Sequence, residues 1–371
     1  MSRDVRNTDV FELMENWAPK SLAYDWDPVG LQVGSYDKKV KKILVTLDVL
    51  EPVVDEAIEQ NVDLIISHHP LLFKPLKQLD LNSLKGRIVQ KLIKHDISVY
   101  AAHTNLDVAP GGVNDILCDA LNIQAEDYLI PKETGKLFKL AVYVPLSHIE
   151  SIREALGNSG AGHIGNYSHC TFQTEGVGTF KPLEGTNPYI GKQGKMEFVD
   201  EVRMETIVEE EKLSKVLAAM IEAHPYEEPA YDIYPLKNEG KKYGLGRIGE
   251  LKEQMDLKTY SEYVKQALDI PGLRIVGDLT KQVKKVAVLG GSGEKYIHEA
   301  KRQGADVYIT GDMTFHTAQD AWQMGLAVID PGHYMEKVMK KATKDYLDKH
   351  LNRKEIKVIV SNTNTEPFQF I

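Results

Sequence analysis

Two histidines stand side by side at the end of a short apolar run, Leu64-Ile65-Ile66-Ser67-His68-His69-Pro70. Neutral imidazole nitrogen is a ligand for zinc, iron, copper or nickel, and a strand terminus is a rigid place from which to present it. Pro70 steers His69 away from helical geometry and towards an extended end. A histidine pair also serves as a plain strand cap, so a metal site needs further convergent groups. His103-Thr104-Asn105-Leu106-Asp107 closes a second apolar run, and His333 and Glu336 stand three apart at the start of an expected helix. Side chains at that spacing share a helix face, although helix-dipole electrostatics alone would also favour Glu336 there.

Together His68, His69, Asp107, His333 and Glu336 make three imidazoles and two carboxylates, all at strand ends or at the start of the following helix. A single zinc ion uses three or four such ligands, so five favour two divalent ions, with one carboxylate bridging and water filling open positions. Zinc is the first choice, and iron or manganese also accept mixed imidazole and carboxylate ligands. Two such cations, two carboxylates and a hydroxide sum to about +1, a charge that attracts a small anionic or nucleotide-like ligand. Asp48, His103, Thr104, Asp312 and His316, at neighbouring strand ends, are candidates for supporting or acid/base roles, with turn and cap duties as the plainer explanation. Gly290-Gly291-Ser292-Gly293 could offer backbone amides to a phosphate. It lacks the P-loop and dinucleotide spacings, so a tight strand-to-helix turn or a lining of the metal cleft is the simpler reading.

The elements that must position these residues follow from periodicity. Lys42–Asp48 reads as a strand, Glu51–Gln60 as a helix and Val62–Ser67 as the strand that delivers His68 and His69. The helix Leu84–His95 and the strand Ser98–Ala102 repeat the β-α-β pattern, and ligands in open α/β sheets gather at the carboxyl ends of strands. From about Lys136 to Leu236 the pattern becomes β-α-β-β-α-β, the ferredoxin-like order, with a Gly- and Pro-rich excursion over Gly176–Gly194. After Tyr243 the first architecture returns, with strands expected over Lys285–Leu289, Ala305–Thr310, Leu326–Asp330 and Ile356–Val360. Helices are expected over Leu257–Ala267, Glu294–Gln303, His316–Met324 and from Pro331 to about His350. The predicted fold is α/β: segments 1–135 and 241–371 form two halves of one metal-binding core, and 136–240 is an inserted α+β domain.

The chain's 371 residues exceed a usual single core. Its 54 acidic and 45 basic side chains give a formal charge of −9 without a polybasic stretch, which argues against nucleic acid or an anionic membrane as the main partner. Cys118 and Cys170 are too few for a disulfide framework, and Met1–Asp4 leads into no signal-like apolar segment, so a reducing, cytoplasmic setting is expected.

Ser67-His68-His69-Pro70, His103-Thr104-Asn105-Leu106-Asp107, Thr310-Gly311-Asp312 with His316, and Gly332-His333-Tyr334-Met335-Glu336 resemble the motifs of the NGG-one-interacting-factor-three-like family. Bacterial members of that family are labelled GTP cyclohydrolase I type 2 homologues. The resemblance spans about Asn7–Ile130 and Tyr243–Ile371. It implies a dinuclear divalent-metal site, usually zinc or iron, with ligands mapping onto His68, His69, Asp107, His333 and Glu336, and a toroidal homohexamer. The insert is similar to divalent-cation-tolerance and PII-like trimeric proteins at His224-Pro225-Tyr226-Glu227-Glu228-Pro229, where His224 could bind a ligand, with a structural turn as the plainer reading. Two functions follow as expectations: a hydrolase in which metal-activated water attacks a nucleotide-like or phosphorylated substrate, or a metal-binding regulatory protein whose insert senses a ligand.

Overall fold

An unbroken apolar run suits a strand covered on both faces, and Leu64–Ser67 is such a strand, buried at every residue. In the computed structural model, which describes residues 4–132, 135–351 and 355–371, it is the central strand of a five-stranded sheet. The order is Gly30–Val33, Ser98–Ala101, Leu64–Ser67, Lys42–Thr46, Lys357–Val360. Only Gly30–Val33 runs antiparallel to its neighbour. Alternate side chains serve two cores. Leu44, Ile65 and Val99 pack with the helices Glu51–Glu59 and Leu84–Lys94, while Ile43, Val45, Leu64, Ile66 and Tyr100 enter the main core.

A second sheet has six strands in the order Arg274–Val276, Ala327–Asp330, Val307–Gly311, Gln282–Ser292, Arg247–Asp256, Ile123–Asp127. Ala327–Asp330, Val307–Gly311 and Gln282–Ser292 are mutually parallel, and the flanking pairings are antiparallel. The sheets are not confined to the two segments of the chain. Lys357–Val360 pairs with Lys42–Thr46 in the first sheet, and Ile123–Asp127 pairs with Arg247–Asp256 in the second. Met1–Lys132 and Tyr243–Ile371 therefore make one compact unit of mixed α/β structure.

Several elements depart from the sequence expectation. Ile123–Asp127 has only Ile123 buried and four exposed residues, so it lacks the alternation that marks a strand. Gln282–Ser292 carries Gly290, Gly291 and Ser292 within the strand, not in a turn after it. The helix expected over Glu294–Gln303 is a 3-10 turn, Glu294–Tyr296, followed by the short α-helix Ile297–Arg302. The helix expected from Pro331 opens as a 3-10 turn, His333–Lys337, before Val338–Leu351 continues as α-helix.

The other compact unit is Glu133–Lys242. Its antiparallel sheet has the order Tyr231–Pro235, Leu137–Pro145, Glu197–Glu209, Thr171–Phe180. With the helices Ile149–Ser159 and Leu213–Ala223 this is the ferredoxin-like arrangement. Those helices cover one sheet face through Leu140, Val142, Met204, Val216 and Met220. The excursion expected from Gly176 begins later, because Thr171–Phe180 stays paired along its length. Among the described residues no helix is long and apolar enough to cross a membrane.

Arg247 ties the two segments of the first unit together. It is 3% exposed. Its guanidinium donates to both Asp115 oxygens at 2.6 and 2.7 Å and to the carbonyls of Gly244 and Gly246 at 3.0 and 2.9 Å. It also lies 4.4 Å from the centroid of Tyr128. Arg247→Ala removes the cation from Asp115, whose side chain is only 28% exposed, and leaves it the Gly111 N–H at 2.6 Å. The expected loss is about 3 kcal/mol of unfolding free energy, measured by urea denaturation, and a change below about 0.5 kcal/mol would contradict this role.

Glu56 holds the C-terminal segment. It accepts from Ser361 Oγ at 2.6 Å, Asn362 N–H at 2.9 Å and Thr363 Oγ1 at 2.7 Å. Burial pushes this carboxyl up, but the donors outweigh it and hold the pKa below the ordinary glutamate value. The stabilisation is therefore fully present above the unfolded value of about 4.3 and is lost as the pH falls through the lower folded value. The melting-temperature gap between wild type and Glu56→Gln should be constant above about pH 5 and close on acidification; a gap that widens in acid rules the explanation out.

Candidate metal centre

His68 and His69 follow directly from Leu64–Ser67, His103 lies two residues beyond Ser98–Ala101, and Asp107 sits on the short helix Thr104–Val108. The second sheet supplies His333 and Glu336 from the 3-10 turn after Ala327–Asp330. Gly332, at φ 81°, turns the chain out of that strand in a conformation that favours glycine. Carboxyl ends of parallel strands from both sheets thus build one cluster.

Glu336 is at its middle. Its Oε2 lies 3.1 Å from His69 Nε2 and 3.2 Å from His333 Nε2, and its Oε1 lies 3.6 Å from His68 Nε2. His68 Nε2 is in turn 3.5 Å from Asp107 Oδ1. Three overlapping groups, His68/His69/His103, His69/His333/Glu336 and His68/Asp107/Glu336, each bring one ligand atom per residue within 4.8 Å of the others.

The far side of every ring is anchored. Nδ1 of His68 donates to the Ala102 carbonyl at 2.8 Å, that of His69 to Asp48 at 2.7 Å, that of His333 to Asp312 at 2.7 Å and that of His103 to Asp27 at 2.9 Å. A ring whose Nδ1–H is donated outward directs Nε2 inward as the ligand atom. Burial opposes charge on His69, but Asp48 and Glu336 outweigh it and raise its pKa to about 10. His333 rises to about 9 against its own burial, through Glu336 and Asp312. Burial holds His68 down. It also pushes Asp107 well above the usual carboxylate range, with the charge of Glu336 adding to the effect. In Glu336 the surrounding imidazoles overcome burial and hold the carboxyl well below that range.

Those atoms fit a divalent cation. His68 Nε2 and Asp107 Oδ1 are buried without a hydrogen-bond partner, an arrangement that costs about 1–3 kcal/mol per group if nothing else meets them. Their separation of 3.5 Å is that of neighbouring ligand atoms around a tetrahedral ion, about 3.3–3.6 Å for bonds of about 2.0–2.2 Å. The cluster could therefore bind a metal ion, which would displace protons from the basic imidazoles.

The five residues singled out as ligands all lie in this cluster. His103, expected in a supporting role, has a ring nitrogen within 4.8 Å of those of His68 and His69. Asp48 and Asp312 each hold a histidine. Thr104 acts one step further out, donating through Oγ1 at 2.5 Å and N–H at 3.0 Å to Asp27, which holds His103. His316 is not brought in: it is exposed on the helix Phe315–Gln323, with its ring nitrogen 3.2 Å from Gln319 on the same helix.

Sequence reasoning missed Asp27 and Asn114. Asp27 sits before Pro28, where it reads as an ordinary turn residue. Asn114 donates to the Asp107 carbonyl at 2.9 Å and accepts from Gly290 N–H at 3.0 Å, tying the two sheets together beside the cluster. The Gly290-Gly291 pair has its own explanation. At Gly291, φ 66°, a Cβ would lie 2.6 Å from Glu336 Oε1 and 3.1 Å from His333 Nε2, so only glycine lets the backbone pass there. A cavity of about 500 Å³ opens onto the cluster, walled by Trp26, Phe73, Ser292, Lys295 and Tyr296.

The sequence model of Duf34/NIF3 (NGG1p interacting factor 3) matches residues 5–367. The chain belongs to the Duf34/NIF3 family. A Bacillus subtilis (strain 168) protein named "GTP cyclohydrolase 1 type 2 homolog" is 53% identical over 373 residues, covering 100% of both chains. One of the same name from Halalkalibacterium halodurans is 53% identical over 364 residues, covering 98% of each. Among solved structures, a Bacillus cereus protein related to NIF3 superposes with a TM-score of 0.91 at 50% identity, covering 100% of both chains.

Within this family architecture the cluster makes a direct prediction. His68→Ala and Glu336→Ala, purified without an affinity tag, should lose bound metal by elemental analysis. Asp48→Asn should weaken metal affinity by about 10–100-fold, and His316→Ala should match wild type. Undiminished metal in His68→Ala would dissociate the cluster from metal binding.

Proposed function

We propose that the chain is a divalent-metal-dependent hydrolase with a dinuclear centre, acting on a nucleotide-like or phosphorylated small molecule. The observation that carries this reading is the two-sided Glu336, with one oxygen towards His68 and the other towards His69 and His333. Two ligand groups that share Glu336, His69/His333/Glu336 and His68/Asp107/Glu336, exceed what a single tetrahedral ion uses and suit a bridged pair. Zinc is the first candidate, with iron and manganese next.

Divalent cations in that position supply Lewis acidity and lower the pKa of bound water. The chain's own residues do the rest. Trp26, 58% exposed, and Phe73, 47% exposed, have ring centroids 5.7 Å apart at the cavity rim and offer apolar faces to a planar ring. Lys295 gives the same cavity a cation for a phosphate. His103 keeps its Nδ1 proton on Asp27, so its Nε2 can take a proton from an attacking water and return it to the leaving group. The names of the relatives make GTP the first substrate to try.

A homohexamer in the cytoplasm completes this reading, and sedimentation at six chain masses tests the assembly. The second reading, a regulatory protein in which the metals are structural or cargo and a PII-like insert senses a ligand, draws on the separate cavity of the inserted unit. The deciding assay compares metal-loaded wild type with Asp107→Ala and His103→Gln on GTP, cyclic nucleotides and phosphoesters. Both variants should lose at least about 100-fold in turnover. Equal turnover by wild type and Asp107→Ala on every substrate removes the hydrolase reading.

A further inference from the structure

The unit Glu133–Lys242 has a cavity of about 710 Å³ lined by its own residues. The motif His224-Pro225-Tyr226-Glu227-Glu228-Pro229 forms one wall. His224 is occupied in holding the turn: Nε2–H donates to the Tyr143 carbonyl at 3.0 Å, and Nδ1 accepts from Tyr226 N–H at 3.1 Å. What the turn presents is the Tyr226 ring and the two glutamates.

Behind Tyr226 lies Glu201, 8% exposed. Its Oε1 accepts from the Tyr226 hydroxyl at 2.8 Å. Its Oε2 lies over Gly178 on the adjacent strand, where a Cβ would approach it to 2.1 Å, so glycine there is what leaves room for the carboxylate. Among the described residues no lysine, arginine or histidine nitrogen forms an ion pair with Glu201, and Lys181, which also lines the cavity, is exposed. A buried carboxylate held by one neutral donor calls for a positive partner.

The walls suit a particular kind of cation. The Tyr226 ring lies 5.8 Å from Phe180 at 58° and 6.3 Å from Tyr189 at 49°, so the rings meet at angles around the space. Aromatic faces attract an ammonium group, most strongly when it is desolvated. Glu184, Glu227 and Glu228 add negative charge among the lining residues. A bare divalent ion prefers converging oxygen ligands, whereas here aromatic walls surround one buried carboxylate.

We propose that this cavity binds a small organic cation, an alkylammonium ion, with its charge on Glu201 and its carbon atoms against Tyr226, Phe180 and Tyr189. Every residue lining the cavity belongs to Glu133–Lys242, and none belongs to the metal cluster.

The test titrates the full chain with n-butylammonium and tetramethylammonium, following tyrosine ring resonances by NMR, with n-butanol and magnesium as comparison ligands. Saturable binding of both ammonium ions is expected, with n-butanol at least about tenfold weaker. Glu201→Gln, which keeps the size of the side chain and its hydrogen bond to Tyr226, should weaken the ammonium ions by at least about tenfold and leave n-butanol unchanged. If Glu201→Gln does not fold, Phe180→Ala should show the loss through the wall instead. Three outcomes overturn the proposal: no saturable binding of either ammonium ion to wild type, equal binding of n-butylammonium and n-butanol, or displacement of n-butylammonium by magnesium at this cavity.

Discussion

The buried Glu336 carboxylate is the constraint on which the first unit depends. It is 3% exposed and meets His68 and His69 from one sheet and His333 from the other. A carboxylate taken out of water is costly unless its surroundings compensate, and here those surroundings come from both sheets. Neither sheet can shift without withdrawing imidazoles from it. The close passage of Gly291 beside Glu336 and the Asn114 bridge from Asp107 to Gly290 belong to the same requirement.

Around that carboxylate, rigidity is built in layers. Each inward-facing imidazole is aimed by an acceptor on its far side, and several of those acceptors are themselves held. Thr365 donates to Asp48 at 2.5 Å, and Thr104 to Asp27. Asp312 sits in the left-handed region at φ 57°, a conformation aspartate tolerates better than most residues. Asp330 fixes the loops on either side of it by accepting from Met313 N–H at 3.1 Å and Gly332 N–H at 2.9 Å. Ligand atoms mounted on strand ends and supported in this way hold their positions better than a loop would allow.

The inserted unit follows a different logic. It has its own apolar core and its own cavity. The histidine in its most distinctive motif spends both nitrogens on the backbone, and the chemistry passes to the tyrosine and glutamates around it.

The sequence alone determined which side chains are candidates for the cluster and most of the strands that lead to it. His68, His69, Asp107, His333 and Glu336 are legible because each ends an apolar run or opens a helix, and side-chain type with local spacing needs no tertiary information. The β-α-β-β-α-β order of the insert is legible for the same reason. Tertiary structure decided what depends on contacts between distant segments. It exchanged strands between the two halves, set His103 beside His68 and His69, left His316 on a solvent-facing helix and recruited Asp27 and Asn114. Local periodicity cannot carry these outcomes, since the residues concerned are ordinary turn, cap or helix residues until the opposing sheet or loop is in place.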